Sequence, residues 1–565
     1  MQFLRPSIAA LLVLFLTCLI NSAELGSSQS FELVIANGHI IDGTGSPWYS
    51  GDVGIRDGKI AAIGNLSQAD RQRTIDARNM VVAPGFIDML GQSELTILVD
   101  PRLPSKIYQG ITTEITGEGD SPAPLNDAIV QADHLRYEHL KIAPDWRTLQ
   151  QYFARLERQG MGINLACYVG ATQVRRMVLG DADVQPSAFQ LDQMKSLVRD
   201  AMHDGAVGLS SALEYAPAPY AKTDEVIALA SEASKFGGIY ATHMRNESDA
   251  VLSAIDEALR IGNEAHIPVE IWHIKVAGKA NWGRMPEVVD KINGARAQGM
   301  DITADTYAYT AWFNSLSAFI PSWAHDGGEA KLIERLKDPV VRARIRKDLL
   351  TPSQKWDNEW QEIPGPEAIL IGVVQNPKLL PLQGKRLSEV AKIWNKDPMD
   401  SLFDLLIEDN AFTEVAVFGM SEPDVLLAVE QPWVSIDNDS SGTSPEGTLG
   451  QEHPHPRAYG TFPRILRKYV REEKKITLED AIRKFSSLPA QRMRFIDRGV
   501  LKLGMWADVV VFDPANVRDL ATFDNPNQLS LGMEYVLVNG VPVIDEEKMT
   551  GALPGKVLRG TAYVP

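Results

Sequence analysis

Short apolar segments alternate with amphipathic patterns through the middle of the chain. Each apolar segment has the length of a strand, and between the segments apolar residues recur every three or four positions, as on one face of a helix. Alternating strands and helices are typical of a parallel sheet, and about eight such units predict a closed, TIM-like (β/α)8 barrel of the α/β class. The candidate strands are residues 86–88, 112–116, 164–169, 207–210, 239–243, 269–273, 302–305 and 433–439.

The two ends of the chain outside this region carry short strand patterns instead. Hairpin turns are indicated at Asp57-Gly58 and at Asn539-Gly540, and Asn-Gly is one of the strongest hairpin signals. We therefore predict that residues 31–83 and 496–565 pair into one small β-sandwich domain.

The barrel is predicted to occupy residues 84–495. The interval between its seventh and eighth candidate strands is much longer than the others, which predicts an insertion at about 325–430. The apolar segment 415–418 lies inside this interval and is an alternative candidate for the eighth strand.

The N-terminus has the pattern of a secretory signal peptide. Arg5 supplies a positive charge, residues 8–20 form an almost unbroken apolar run, and Ala23 is a small residue suited to cleavage. Such a run is too short to span a bilayer comfortably, although an uncleaved anchor is the alternative. We predict a signal peptide over residues 1–23, export to the periplasm or the extracellular space, and no stable membrane insertion after cleavage.

The net charge and the cysteine content indicate whether a nucleic-acid partner and an internal disulfide are to be expected. The formal net charge of −17 disfavours contact with phosphate backbones, so we predict no nucleic-acid partner. Cys18 would leave with the signal peptide and Cys167 would remain alone, so no internal disulfide is expected.

Residues that bind metals or transfer protons follow several candidate strands. The chain has only ten histidines, yet His243 and His273 each end a strand, Glu118 follows the second strand, and Asp439 ends the eighth. Reactive groups of parallel barrels lie at these carboxyl ends. Two imidazoles and a carboxylate suit zinc and leave a position for water, and Asp439 could serve as the general base. The pattern alone leaves structural interpretations open: hydrogen-bonded imidazoles, a turn at Glu118 and a polar loop at Asp439.

Five sequence motifs are spread along the chain. They are VAPGFID at 82–88, LEY at 213–215, ATHMRNE at 241–247, HPRAYGTFPR at 455–464 and KLGMWADVVVF at 502–512. These motifs resemble those of the amidohydrolase superfamily, and within it the chain is most similar to the N-acyl-D-amino-acid deacylases, or D-aminoacylases. The resemblance runs from about residue 33 to about residue 544.

The resemblance implies an activity and assigns roles to residues. It implies a barrel with a small β-domain and a small-molecule substrate, an N-acyl amino acid and in particular an N-acyl-D-amino acid. The implied enzyme uses zinc to hydrolyse the amide bond of this substrate to a carboxylate and a free amino acid. A dipeptidase or cyclic-amide hydrolase on the same barrel, and a catalytically degenerate barrel that only binds a ligand, remain alternatives. The implied metal ligands are His243 and His273, the implied catalytic residue is Asp439, and the implied contacts to the substrate carboxylate are Tyr215, Lys275 and Arg457.

Two departures from the family pattern change the expected metal site. Leu90 and Gln92 stand where the family has a His-x-His pair; leucine cannot bind a metal and a glutamine amide is a weak zinc ligand, so we predict one Zn²⁺ per chain. The family also has a cysteine ligand after the second strand. Either Glu118 or Gly119 aligns with it, and we choose Glu118 because a carboxylate can bind zinc.

The histidine pair at 453 and 455 also has the His-x-His form. It lies beyond the last candidate strand, so we interpret it as part of a loop or of the substrate side of the site, not as a displaced metal pair.

Overall fold

The computed structural model of the protein describes residues 30–353 and 356–565. The predicted signal peptide lies outside these residues. Within them, no helix combines the length and the apolar character that crossing a membrane requires.

Eight parallel strands form the predicted barrel. The third strand is interrupted at Tyr168, so its first part pairs with the second strand and its second part with the fourth. The eighth strand approaches the first through a hydrogen bond of 2.8 Å from the backbone N–H of Asn438 to Asp88 Oδ1. The barrel strands, numbered one to eight below, are Phe86–Asp88, Ile111–Thr116, Asn164–Cys167 with Val169–Gly170, Gly208–Ala212, Ile239–His243, Val269–Ile271, Ile302–Thr306 and Val434–Ile436. Each of the eight candidate strands coincides with one of them.

Helices form because apolar residues at a spacing of three or four can be buried together on the barrel. In Val251–Ala265, for example, Ala254, Ile255, Ala258 and Ile261 are buried on one face. The α-helices are Thr96–Val99, Pro104–Ile107, Asp127–Ala132, His134–Leu140, Leu149–Gln159, Ala171–Leu179, Ala188–Asp204, Thr223–Ser234, Val251–Ala265, Met285–Ala297, Glu329–Lys337, Pro339–Leu349, Glu359–Glu362, Leu387–Trp394, Pro398–Glu408, Glu422–Glu430, Arg457–Arg464, Leu478–Phe485 and Ser487–Arg492. A π-helix, Ile465–Glu472, continues Arg457–Arg464.

The two β-rich flanks join into one nine-stranded sheet. Val81–Pro84 pairs antiparallel with Val509–Phe512, which links the two halves of the β-domain. The turn at Asn539-Gly540 closes a hairpin, and both residues have positive φ, as a type I′ turn requires. The strands of this sheet are Phe31–Ile40, Tyr49–Arg56, Lys59–Gly64, Arg71–Asp76, Val81–Pro84, Val509–Phe512, Met533–Val538, Val541–Asp545 and Lys548–Met549. The predicted pairing of the flanks is confirmed.

Between the seventh and eighth barrel strands the chain builds a separate layer. Its antiparallel sheet consists of Trp312–Ser315, Glu414–Val417 and Ile369–Ile371, and its helices share a hydrophobic core with this sheet. The segment 415–418 therefore belongs to this layer, and its alternative assignment as the eighth barrel strand is wrong. Together with the carboxyl ends of the barrel strands, the layer encloses a cavity of about 670 Å³.

Candidate active site

Three possible metal ligands meet at the carboxyl end of the barrel, on the wall of the cavity. Glu118 lies two residues after the second strand, His243 ends the fifth, and His273 lies two residues after the sixth. His243 Nδ1 is 3.0 Å from His273 Nε2, and Glu118 Oε1 is 3.2 Å from each of these nitrogens. Residues far apart in sequence thus place one donor atom each around a common point.

The spacing of these donor atoms fits a small metal ion. A tetrahedral zinc ion with ligand bonds of about 2.0–2.1 Å holds its ligand atoms about 3.3 Å apart. The three observed separations of 3.0 to 3.2 Å are close to this value. Two imidazole nitrogens and a carboxylate are also the ligand types that zinc accepts.

The charge of the cluster favours a cation. Burial alone would raise the pKa of Glu118, but hydrogen bonds with His243 and His273 outweigh it and hold the pKa of this carboxyl well below its usual range. Burial alone would lower the pKa of His243, but Glu247 and Glu118 together outweigh it and raise that pKa well above its usual range. Negative charge therefore stabilises a positive charge at this point, which either protons or a metal ion can supply.

Three residues around the cluster have left-handed backbone conformations. The φ angles are 47° at Gln92, 36° at His273 and 45° at Asp439. Such values are uncommon for residues with a side chain and persist where the surroundings over-determine them, often at functional sites. At His273 the backbone N–H donates to Asp305 Oδ1 at 2.5 Å, which fixes this turn.

Asp439 lies between Gln92 and Arg457. Its Oδ1 accepts a hydrogen bond of 3.0 Å from Gln92 Nε2, and its Oδ2 is 2.7 Å from Arg457 Nη1. Gln92 Nε2 also donates to Glu118 Oε2 at 2.5 Å, so one amide connects the possible metal ligand with Asp439. Burial raises the pKa of Asp439 even though Arg457 and His273 act in the opposite direction.

Comparisons with known proteins place this site in a family. An N-acyl-D-glutamate deacylase from Alcaligenes xylosoxydans xylosoxydans is 35% identical to the chain and is matched over 98% of its own length and 95% of this chain. A D-aminoacylase from the same organism is 34% identical over 95% of this chain and 99% of its own. The chain belongs to the N-acyl-D-amino-acid deacylase family of the amidohydrolases.

Solved structures agree with this membership. An N-acyl-D-glutamate deacylase from Bordetella bronchiseptica, complexed with zinc and a phosphonate inhibitor, superimposes with a TM-score of 0.79 at 33% identity, covering 94% of this chain and 100% of that one. A D-aminoacylase gives 0.78 at 33% identity with the same coverage, and it is described as having a binuclear metal centre with one-metal activation and second-metal attenuation. An L-hydantoinase from Arthrobacter aurescens, at 16% identity and a TM-score of 0.54, shares the fold alone.

Models of known families match the two ends of the chain. The amidohydrolase family model matches residues 448–544, and the model for the N-terminal domain of the urease alpha-subunit matches residues 18–86. Both matches fall on or beside the β-domain.

Three residues predicted to contact the substrate lie near the centre of this deacylase-family site. The Tyr215 ring lies 4.7 Å from the ring of His243. Lys275 Nζ lies 2.7 Å from His273 Nδ1 and forms an ion pair with Glu247. Arg457 is 1% exposed and lies behind Asp439, not on the cavity wall. Their substrate contacts stay predictions.

Two carboxylates of the site were missed by sequence reasoning. Glu214 Oε2 is 2.8 Å from His243 Nε2, and Glu247 Oε1 is 3.2 Å from His273 Nδ1. Glu214 follows the fourth barrel strand as Glu118 follows the second, and Glu247 stands four residues after His243. The rule that reactive groups follow strand ends could therefore have found both.

The histidines at 453 and 455 take no part in the candidate metal cluster of Glu118, His243 and His273. His453 Nε2 lies 2.7 Å from the carbonyl oxygen of Phe523, and His455 Nε2 lies 3.1 Å from that of Ala311. Pro454 between them lines the cavity.

Proposed function

We propose that the protein is a metal-dependent hydrolase that cleaves the amide bond of N-acyl amino acids, in particular N-acyl-D-amino acids, to a carboxylate and a free amino acid. The observation that carries the proposal is the convergence of Glu118, His243 and His273 beside Asp439 on one cavity wall. The names of the relatives, deacylases of N-acyl-D-amino acids, support the substrate class.

The metal in this proposal is one Zn²⁺ per chain, held by Glu118, His243 and His273. Bound zinc supplies Lewis-acid polarisation of a carbonyl group and a lowered pKa for water. Leu90 and Gln92, in place of a histidine pair, leave no second full ligand set at the first strand. The solved D-aminoacylase described as activated by one metal supports a single-ion site.

Asp439 is the proposed general base. Its carboxylate would accept a proton from the attacking water and transfer it to the leaving nitrogen, a role typically worth about 10²–10⁴-fold in rate. Gln92 and Arg457 hold the two carboxylate oxygens from opposite sides and so fix its orientation.

Tyr215, Lys275 and Arg457 are the proposed contacts to the substrate carboxylate. Lys275 is already paired with Glu247 and Arg457 with Asp439, so the substrate would have to share these cations. An arginine offers two parallel N–H donors to a carboxylate, whereas a lysine acts as a point charge.

The test combines metal analysis with a hydrolysis screen. Wild-type protein should contain about one zinc ion per chain and hydrolyse N-acetyl-D-amino acids faster than their L-enantiomers. His243→Ala should lose the metal, because two remaining ligands hold zinc poorly. Metal-loaded wild-type protein that cleaves dipeptides or cyclic amides but no N-acyl amino acid would contradict the proposal, and two tightly held ions would contradict the single-ion site.

We also propose that the protein is exported, on the strength of the apolar run that ends near Ala23. Mass spectrometry of protein from its native host should then show a chain that starts near Glu24. An intact Met1 on protein from the cytoplasm would contradict export.

A further inference from the structure

Four carboxyl groups form one wall of the cavity beside the candidate metal centre. Glu214 follows the fourth barrel strand, and the other three come from the layer inserted between the seventh and eighth strands. Asp357 is 5% exposed, Glu359 2% and Glu362 8%. All four line the cavity. These four residues are called the acidic wall below.

Asp357 and Glu359 are bonded to neutral groups. Asp357 accepts from the backbone N–H of Glu247 at 2.7 Å and from the hydroxyl of Ser248. Glu359 accepts from the amide of Asn314 at 2.6 Å and from an indole N–H at 3.3 Å. Among residues 30–353 and 356–565, no lysine or arginine forms an ion pair with either carboxylate.

Glu362 has an unsatisfied acceptor. Its Oε1 is enclosed and has no hydrogen-bond partner in the part of the chain that the structure describes. The side-chain oxygen of Asn314, which faces the same cavity, likewise lacks a donor among the described residues. Leaving buried acceptors unpaired costs free energy, so both groups favour a ligand that donates hydrogen bonds.

Two basic side chains that line the cavity already have acidic partners. Lys275 is paired with Glu247, and the Nε2 atom of His243 contacts Glu214. Burial and neighbouring carboxyl groups raise the pKa of both Glu359 and Glu362 well above the usual range. A cation placed here would lower these pKa values and be stabilised by the ionised carboxylates, whereas an anionic group would raise them further.

We infer that the acidic wall binds a positively charged nitrogen of the substrate, an ammonium or guanidinium group carried by the amino-acid side chain or by the acyl group. The inference rests on the proposed function and narrows its substrate class. An ammonium group carries three N–H donors and a guanidinium five, enough for Glu359, Glu362 and Asn314 together. Hydrogen bonds to charged groups correspond to a preference of about 10- to 100-fold over an uncharged group of the same size.

Two pairs of substrates with matched shapes test whether the recognised positive charge lies on the amino-acid side chain or on the acyl group. N-acetyl-D-lysine and N-acetyl-D-2-aminoheptanoate differ by a side-chain ammonium in place of a methyl group. 4-Aminobutyryl-D-leucine and pentanoyl-D-leucine differ in the same way on the acyl group, and neither is an ordinary dipeptide. Wild-type enzyme should favour the charged member of one pair by at least about 10-fold in kcat/KM.

Variants of the acidic wall test whether its carboxyl groups cause this preference for the charged substrate. Glu362→Gln and Glu359→Gln should lower kcat/KM for the charged substrate by a larger factor than for the neutral one, and so reduce the preference. Glu367→Gln, an exposed residue in the same segment, should keep the full preference. Calorimetric binding of each pair to zinc-loaded Asp439→Asn, which should keep the metal and lose most turnover, gives the same comparison with little hydrolysis.

The possible failures are distinguishable. Hydrolysis of the neutral substrates without a charge preference, or an equal loss for both members in Glu362→Gln, overturns the inference and leaves the proposed function intact. A second metal equivalent that is lost in Glu362→Gln also overturns it, because a metal ion would then occupy the wall. If neither pair is hydrolysed, the proposed function fails for these substrates. The binding measurement then tests the inference by itself, and equal binding of the charged and neutral members overturns it.

Discussion

Replacing Lys106 by methionine tests whether a buried cation holds the active-site loops in place. Lys106 is fully buried, and its Nζ lies 2.7 Å from Asp88 Oδ2 and 3.4 Å from Glu114 Oε2. The same Nζ donates to the carbonyl oxygens of Gly91 at 3.1 Å and Ser440 at 2.8 Å. One ammonium group thus ties the loop after the first barrel strand to the loop after the eighth.

The expected cost follows from these contacts. Removing one partner of a buried ion pair typically costs about 3–5 kcal/mol, because an uncompensated charge remains. Lys106→Met should therefore lower the free energy of unfolding by about this amount. Gly91 and Ser440 directly adjoin Gln92 and Asp439, so kcat should fall as well.

Urea unfolding followed by circular dichroism, together with kcat on a responsive N-acyl amino acid, measures both effects. Lys337→Met removes an exposed lysine and should change stability by less than about 0.5 kcal/mol. Adding Asp88→Asn to Lys106→Met should restore part of the stability, since it removes the carboxylate that the single variant leaves without its ion-pair partner. A single variant within about 1 kcal/mol of wild type and with full kcat would refute the reasoning.

Three further predictions concern single side chains. Asp439→Asn should keep the metal and lose at least about 10²-fold in kcat, as removal of a general base does; undiminished turnover would reject the assignment. Glu118→Gln should weaken zinc binding, measured by competition with a chelator, and unchanged affinity would show that Glu118 is a turn residue. Burial raises the pKa of Glu114 to about 7, so the folded protein keeps a proton that the unfolded chain loses near pH 4.3. The contribution of Glu114 to stability should therefore fall as the pH rises from about 4 to about 7, and Glu114→Gln should lack this contribution. Urea unfolding at pH 5 and pH 8 should then shift the difference between the two proteins toward the variant by up to about 3 kcal/mol.

The barrel could be predicted because each of its strands has a recognisable local sequence pattern. Each strand is a short apolar segment between helical patterns, and the predicted strand ends place Glu118, His243 and Asp439 at one end of the barrel without any tertiary information. The β-domain was predictable for a similar reason, since the turn at Asn539-Gly540 has its own local signal. Local patterns are sufficient to predict these positions because the topology of a parallel barrel brings the carboxyl ends of its strands together at one side.

The contacts within the site could not be predicted in this way. The hydrogen bond from Gln92 to Asp439 joins residues 347 positions apart and depends on how the barrel closes. Lys106 stands on a four-residue helix whose sequence gives no sign that its ammonium group is fully buried. The acidic wall depends on how the inserted layer packs over the barrel, and no periodic pattern in residues 357–362 indicates that packing.

Gln92 shows how hydrogen bonds can hold two carboxylates of the site close together. Its amide nitrogen donates to Glu118 Oε2 at 2.5 Å and to Asp439 Oδ1 at 3.0 Å. Two carboxylates brought this close repel each other unless positive charge or donated hydrogen bonds lie between them. An amide has two N–H donors and stays neutral, so it can bridge both oxygens at any pH at which they are ionised. The left-handed backbone at Gln92 and at Asp439 brings the two side chains into this arrangement. The same hydrogen bonds that offset the repulsion also fix the position of the proposed base, Asp439, relative to the proposed metal ligand, Glu118.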